Sequence, residues 1–403
     1  MDHGPAVRTE HLHLPDDLSG GPAQHRTPAF LYQRRPYPGA HRPYRRAAGR
    51  SAQERSREQG VILKQIRFDR FGLPSRVAYC VEVEDPGPPS PWEVLVEVEV
   101  CALNPADLAR LSGRYGELPQ LPATLGLEAI GRVMACGASV DQLCEGDRVI
   151  LLGNENWCQQ RRIAASLVHK LPPQLDPLQA ASLKVSACTA IELLRRQSQL
   201  GPGAWVIQNA PLSSVGRAVM QVARHDGLRT LNVVRRPEAV SEVLAAGGDA
   251  AILAGDRLVQ EAKATMGYAL GGLVLDAVGG EGVAPLGELL EPGGTIIQYG
   301  MLSGQPAQLA CEDVIFRDIN LKGFWLARHL AQVSHQHRDG LMSEATDLLA
   351  KKVLQAQVAA TYTLDEITAA LRHFETPGRR GRVYLLPNGP VQHLCSGGHQ
   401  DHG

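Results

Sequence analysis

The sequence predicts an α/β protein in which a β-rich domain is interrupted by a doubly wound parallel-sheet domain. Three observations predict it. Residues 61–185 read as short strands joined by turns, from about Cys188 strands and helices alternate, and near the end the pattern turns mixed again. Strands separated by helices of ten to fifteen residues imply right-handed crossovers, and therefore a parallel sheet covered on both faces.

The elements follow in order. Val94–Val100 alternates apolar and polar residues with period two, the pattern of a half-buried strand. Gly126–Val133 and Asp147–Leu152 add two more strands. In the second region the expected strands are Trp205–Gln208, Leu231–Val234, Ala250–Leu253, Leu273–Asp276, Thr295–Tyr299 and Leu321–Leu326. Val215–Arg224 and Pro237–Ala246 read as helices between the first three. A helix around Leu364–Phe374 and a strand Arg382–Leu386 close the folded part. The expected division is a basic extension over 1–60, a β-rich domain over 61–187, a dinucleotide domain over 188–328, a return to the first domain over 329–388, and a tail over 389–403.

Composition narrows the function. The 403 residues suit two or three domains, and 44% hydrophobic content is ample for a buried core. A net charge of −1 gives no global field toward nucleic acid, and no apolar run is long enough to span a bilayer. Eight cysteines contain no C-x-x-C pair, so the usual zinc-knuckle spacing is missing and no metal site is expected. No secretory apolar core opens the chain, which argues for a reducing compartment. Residues 21–53 carry seven arginines and no acid, as organelle transit peptides do. The acids Asp2, Glu10, Asp16 and Asp17 speak instead for a plain basic extension, so mitochondrial and cytoplasmic locations both stay open.

The dinucleotide site is read from the strand–turn–helix at Trp205–Arg224. Pro211-Leu-Ser-Ser-Val-Gly216 occupies the G-x-G-x-x-G frame, and only Gly216 of its three glycines survives. The context supports a pyrophosphate site, with N–H groups of Leu212 to Gly216 and the hydroxyls of Ser213 and Ser214 as donors. A serine-capped turn without a ligand fits the same pattern. Nineteen residues after Gly216, where a ribose diol calls for an acid, stand Arg235 and Arg236. Guanidinium forks suit a phosphate, so the expected cofactor is NADPH. Glycines in Asp276-Ala-Val-Gly-Gly280 and Gly293–Gly300 fall at C-terminal strand ends, where ligands sit in such sheets.

Asn104-Pro-Ala-Asp107, Ser112-Gly-Arg-Tyr-Gly116, Gly126-Leu-Glu128, Gln208-Asn-Ala210, Asn232-Val-Val-Arg235, Tyr299-Gly300 and Gly323-Phe-Trp-Leu326, in this order, resemble the 2-enoyl thioester reductases of mitochondrial fatty acid synthesis. The likeness covers residues 75–386. It implies a GroES-like catalytic domain beside a Rossmann NADPH-binding domain. It also implies reduction of the double bond of a trans-2-enoyl thioester, with hydride going to the β carbon and a proton to the α carbon. Tyr115 stands where the family places its proton donor. Cofactor contacts carry over onto Ser186, Leu212, Ser213, Ser214, Val215, Gly216, Arg235, Arg236, Tyr299, Gly300, Met301, Phe324, Trp325, Leu326 and Arg382. An apolar pocket beside Trp325 would suit the acyl chain.

Zinc-dependent cousins carry a cysteine near Asn104 and a histidine at Leu127, neither of which these residues can replace. Further departures are Ser214 for a glycine, Ser186 for an asparagine, and the new Lys184, expected to pair with phosphate or face solvent. The resemblance implies an enoyl-CoA or enoyl-carrier-protein substrate, with Arg379 and Arg380 able to meet an acidic carrier, and a homodimer. Two other readings stand beside it: an NADPH quinone or enone reductase on the same fold, and a binding protein that has lost the chemistry.

Overall fold

The computed structural model describes residues 62–391. Expectations about residues 1–60 and most of the 389–403 tail therefore lie outside the described residues. The first region forms β1 (Ile62–Phe68), β2 (Tyr79–Glu84), β3 (Glu93–Ala102), β4 (Ala123–Thr124), β5 (Ala129–Cys136), β6 (Arg148–Leu151), β7 (Gln160–Ala164) and β8 (Val168–Lys170). β3 is the spine. Val94, Val96 and Val98 are fully buried in one core while Glu97 and Glu99 are half-buried, and past a register shift Val100 is buried in the core shared with the second sheet. Glu99 receives the guanidinium Nε atoms of Arg132 at 2.9 Å and Arg148 at 2.7 Å. Period-two patterning thus buries one face of the strand and leaves charge for the other.

The second region forms β9 (Trp205–Asn209), β10 (Arg229–Val234), β11 (Ala250–Leu253), β12 (Gly271–Asp276), β13 (Leu290–Gln298) and β14 (Asn320–Gly323). All five neighbouring pairs are parallel, in the order β11-β10-β9-β12-β13-β14. This is the doubly wound order whose direction reverses between β9 and β12, the place where a dinucleotide crevice opens. Near the end come β15 (Val358–Tyr362) and β16 (Arg382–Leu385). β16 pairs antiparallel with β3 through Tyr384 and Ala102, extending the first region's larger sheet to β15-β16-β3-β5-β6-β8, with β7 also on β3.

Three strands differ from expectation: β5 runs Ala129–Cys136 rather than Gly126–Val133, β13 runs Leu290–Gln298 rather than Thr295–Tyr299, and β14 ends early. β14 stops at Gly323 rather than running to Leu326, and Trp325 precedes a helix at Leu326–Gln332. The apolar run Phe-Trp-Leu reads as strand, but its burial is met elsewhere. Phe324 is 9% exposed in a core that draws on both sheets, and Trp325 turns to Tyr115. The helix His335–Ala350 packs Leu341, Met342 and Ala345 into that same core, which also holds Leu183, Ala187 and Ile191.

Candidate active site

β9 ends in a tight turn where Ala210 takes a φ of +50°, and Ser213 then caps the helix Ser214–His225 by accepting from Gly216 N at 3.1 Å. Ser213 N donates to Ala210 O at 3.0 Å. Two of the five N–H groups expected to face a phosphate, those of Ser213 and Gly216, are therefore satisfied within the turn. A Cβ on Gly216 would lie 2.6 Å from Ala210 O, so helix and turn approach as only glycine permits. Beneath the turn, Gln208 Nε2 donates to Gly216 O at 3.1 Å and to Asn232 Oδ1 at 2.8 Å. Asn232 Nδ2 donates in turn to Ala250 O at 2.9 Å. These two buried amides bolt three strands to the helix start. Asn209 Nδ2 donates to Asp276 Oδ1 at 2.6 Å, which fixes the loop after β12.

A cleft opens over this turn, lined by Leu212, Ser213, Ser214, Ser186 and Arg382. Two further cations line it that sequence reasoning did not assign to a cofactor, Arg217 and Arg379. Arg217 lies one residue past the surviving glycine, and its Nε donates to Leu212 O at 3.3 Å. Arg379 stacks its guanidinium 4.4 Å from the Phe374 ring centroid. Burial pushes both guanidinium pKa values below their usual range, so an anion would relieve them. Arg380 pairs with Glu242. Arg235 and Arg236 stand exposed just beyond β10, outside the lining of the cleft.

On the next strand end, the Tyr299 hydroxyl is buried with no hydrogen-bond partner, and Ser213 is the polar side chain acting on it. Burial pushes that phenol far up. A Cβ on Gly300 would meet Ala277 O at 2.5 Å, so this loop too is closed to side chains. An orphaned hydroxyl and two glycine cradles around one crevice fit a bound dinucleotide. Met301 is 54% exposed on the adjoining loop, and Val215 and Leu326 are half-buried.

Tyr115 and Trp325, 210 residues apart, meet where the chain leaves β14 for the helix Leu326–Gln332, and neither lines the cleft over the Ser213 turn. Trp325 Nε1 donates to the Tyr115 hydroxyl at 2.7 Å, and the rings stand edge to face with centroids 5.4 Å apart. Arg110 lies over the Tyr115 ring at 5.1 Å. Burial raises the phenol pKa above its ordinary value, and the indole bond pulls the other way.

Behind them runs a buried polar network. Glu128, fully buried, accepts from Arg382 Nη2 at 2.6 Å, Val185 N at 2.7 Å and Asn104 Nδ2 at 3.1 Å. Arg382 also donates to Ser186 Oγ. Arg382 and Ser186 thus reach the cleft while bound to one another. Lys184 does not face solvent and does not line the cleft. It is buried, with Nζ donating to Leu127 O and to Gly153 O at 3.1 Å. The backbone N–H of Leu127 donates to Asp107 at 3.1 Å, and the aliphatic Leu127 side chain has no metal-binding atom.

Comparison with known proteins agrees with this fold. Residues 90–170 match the alcohol dehydrogenase GroES-like domain, and residues 214–344 match the zinc-binding dehydrogenase domain. The protein is thus an oxidoreductase of the two-domain, alcohol-dehydrogenase-like class. Among curated relatives, the rat mitochondrial enoyl-[acyl-carrier-protein] reductase is 35% identical over 275 residues, 66% of this chain and 73% of its own length. The chain belongs to the mitochondrial enoyl-[acyl-carrier-protein] reductase family. Among solved structures, a Bacillus thuringiensis chain described as an NADPH:quinone reductase superposes with a TM-score of 0.75 at 25% identity, over 81% of this chain and 99% of that one. The Etr1p/NADP/crotonyl-CoA complex and the Candida tropicalis 2-enoyl thioester reductase heterodimer each give 0.74 at 22% identity, over 81% of this chain and 100% of theirs.

Proposed function

We propose that this chain uses NADPH to reduce the carbon–carbon double bond of trans-2-enoyl thioesters in mitochondria, with Tyr115 as the proton donor. The observation that carries the reading is the 2.7 Å bond to the Tyr115 hydroxyl from Trp325 Nε1, two residues past the end of β14 in the parallel sheet. The dinucleotide would be held by the Ser213–Gly216 turn, by Tyr299 and Gly300, and by Arg217 and Arg379 at its phosphates. When bound, the nicotinamide supplies the hydride. The protein's own task is to deliver a proton. Because the indole occupies a lone pair of the phenol oxygen, the Tyr115 O–H is directed away from Trp325, toward the space beside it. Burial keeps the phenol protonated through neutral pH. Once the proton leaves, the same indole N–H stays on the oxygen and stabilises the phenolate. The buried Glu128–Arg382–Asn104 network holds β16 and the start of the Pro105–Leu111 helix in register, and so fixes the wall that carries Tyr115.

Arg235 and Arg236 select NADPH over NADH by pairing with the 2′-phosphate. Replacing both with alanine is expected to raise the Kd for NADPH about tenfold or more, since each charged hydrogen bond contributes about 1.5–3 kcal/mol, and to leave NADH binding unchanged. The exposed edge strand β14, with Phe316 80% and Ile315 68% exposed near it, supports a homodimer through this edge. NADPH oxidation followed with trans-2-decenoyl-CoA and, separately, with a quinone tests the reading. Turnover of the thioester is expected. Turnover of quinone alone would transfer the chain to the quinone reductases, and no NADPH binding at millimolar concentration would make it a binding protein.

A further inference from the structure

Glu192, His329 and His337 come from three separate elements and meet outside the cleft. Their ligand atoms all lie within 4.8 Å of one another. Glu192 is fully buried, whereas the two imidazoles keep 21% and 30% of their side-chain surface in solvent. His337 Nε2 lies 2.8 Å from Glu192 Oε1 at hydrogen-bond geometry. His329 Nε2 lies 3.0 Å from Glu192 Oε2 but off hydrogen-bond geometry, and both atoms are buried without a hydrogen-bond partner. A fully buried carboxylate oxygen that faces an imidazole nitrogen without bonding to it is a costly arrangement unless a third party fills the gap.

We propose that these three side chains form a binding site for a divalent transition ion, with Zn2+ the natural occupant. Two imidazoles and one carboxylate are the donor set such ions prefer, whereas Ca2+ and Mg2+ call for oxygen alone. The fourth position opens to water on the side where the imidazoles are exposed. Around a tetrahedral ion with bonds of about 2.0–2.1 Å, donor atoms sit about 3.3 Å apart, so the two His–Glu separations of 2.8 and 3.0 Å need widen by only a few tenths of an ångström. Arg196 is the cation that opposes the site. Its Nη1 is 3.6 Å from Glu192 Oε1, but its other terminal nitrogen is drawn off by Glu344, which leaves Oε2 clear. Bound there, the ion would tie the helix Leu326–Gln332, which starts one residue after Trp325, to the helix His335–Ala350 and to the Glu192 segment. It would be a structural clamp between these helices, with no part in the proton or hydride chemistry.

The test is titration of the full chain with Co2+, read by its d–d absorption, followed by displacement with Zn2+. One absorbing Co2+ per chain is expected, with Zn2+ competing it away and raising the melting temperature by several degrees. His337→Gln and His329→Gln, both on solvent-touching side chains, should each weaken binding by roughly tenfold or more and abolish the melting shift. Absence of Co2+ absorption would overturn the proposal. So would wild-type affinity in both variants, which would place the ion on histidines elsewhere in the chain.

Discussion

The residues behind the cleft show how burial, more than charge, decides behaviour here. Asp107 receives Asn104 N at 2.9 Å and Leu127 N at 3.1 Å, so each of its oxygens closes a buried backbone donor. Burial pushes its carboxyl up to about 7 from an ordinary 3.8. The folded chain therefore holds this proton more tightly than the unfolded one, and the stability it contributes falls as pH rises from about 4 to 7. Asp107→Asn would aim an amide N–H2 at one of the backbone donors. It is expected to cost about 1–3 kcal/mol in urea unfolding at neutral pH. Lys184 works in the opposite sense. Burial lowers its ammonium to about 8 from 10.5, so the unfolded chain binds more protons between those values and stability rises with pH across that window. Between pH 8 and pH 10 the wild type should gain about 2 kcal/mol that Lys184→Met does not. Urea midpoints at the two pH values read the difference. Pattern alone suggested a solvated or phosphate-bound Lys184, because the carbonyls of Leu127 and Gly153 that hold it are fixed by tertiary structure and leave no trace in neighbouring residues.

Elements were legible where one face meets the core. The alternating valines of β3 and the apolar run Ala250–Leu253 announced themselves by period and length, and the turn before Gly216 was found from its strand and helix despite two missing glycines. The end of β14 was not legible, since Phe324, Trp325 and Leu326 look the same to a propensity rule whether they continue a strand or leave it for contacts elsewhere. Gly216 tests the turn as an element. A methyl there would sit 2.6 Å from Ala210 O and 2.7 Å from the Pro211 Cα, both backbone atoms that cannot swing aside. Gly216→Ala is expected to destabilise the fold by about 1–3 kcal/mol and to weaken NADPH binding in parallel. Thermal melts and a fluorescence titration on the same sample read both effects. Unchanged values in the two experiments would mean that the helix start does not hold the pyrophosphate.

At the scale of the whole molecule, the proposed catalysis depends on bringing distant segments to one place. β16 crosses back to pair with β3, which sets Arg382 against Glu128, 254 residues away. Trp325 reaches Tyr115 in the same way. Each motif could be recognised in the sequence, but their meeting could not, because no local pattern encodes which strand receives the returning chain. The same limit hid Arg379, whose place in the cleft depends on the loop before β16. The measurement that bears most directly on the account is turnover of trans-2-decenoyl-CoA by Tyr115→Phe at saturating NADPH, with the NADPH Kd determined on the same preparation. Loss of the phenol, which removes the proton and the acceptor of the Trp325 N–H and leaves only the edge-to-face ring contact, should lower kcat by about a hundredfold or more and leave the Kd unchanged. A variant that binds NADPH normally and turns over at the wild-type rate would contradict the assignment of Tyr115 as proton donor.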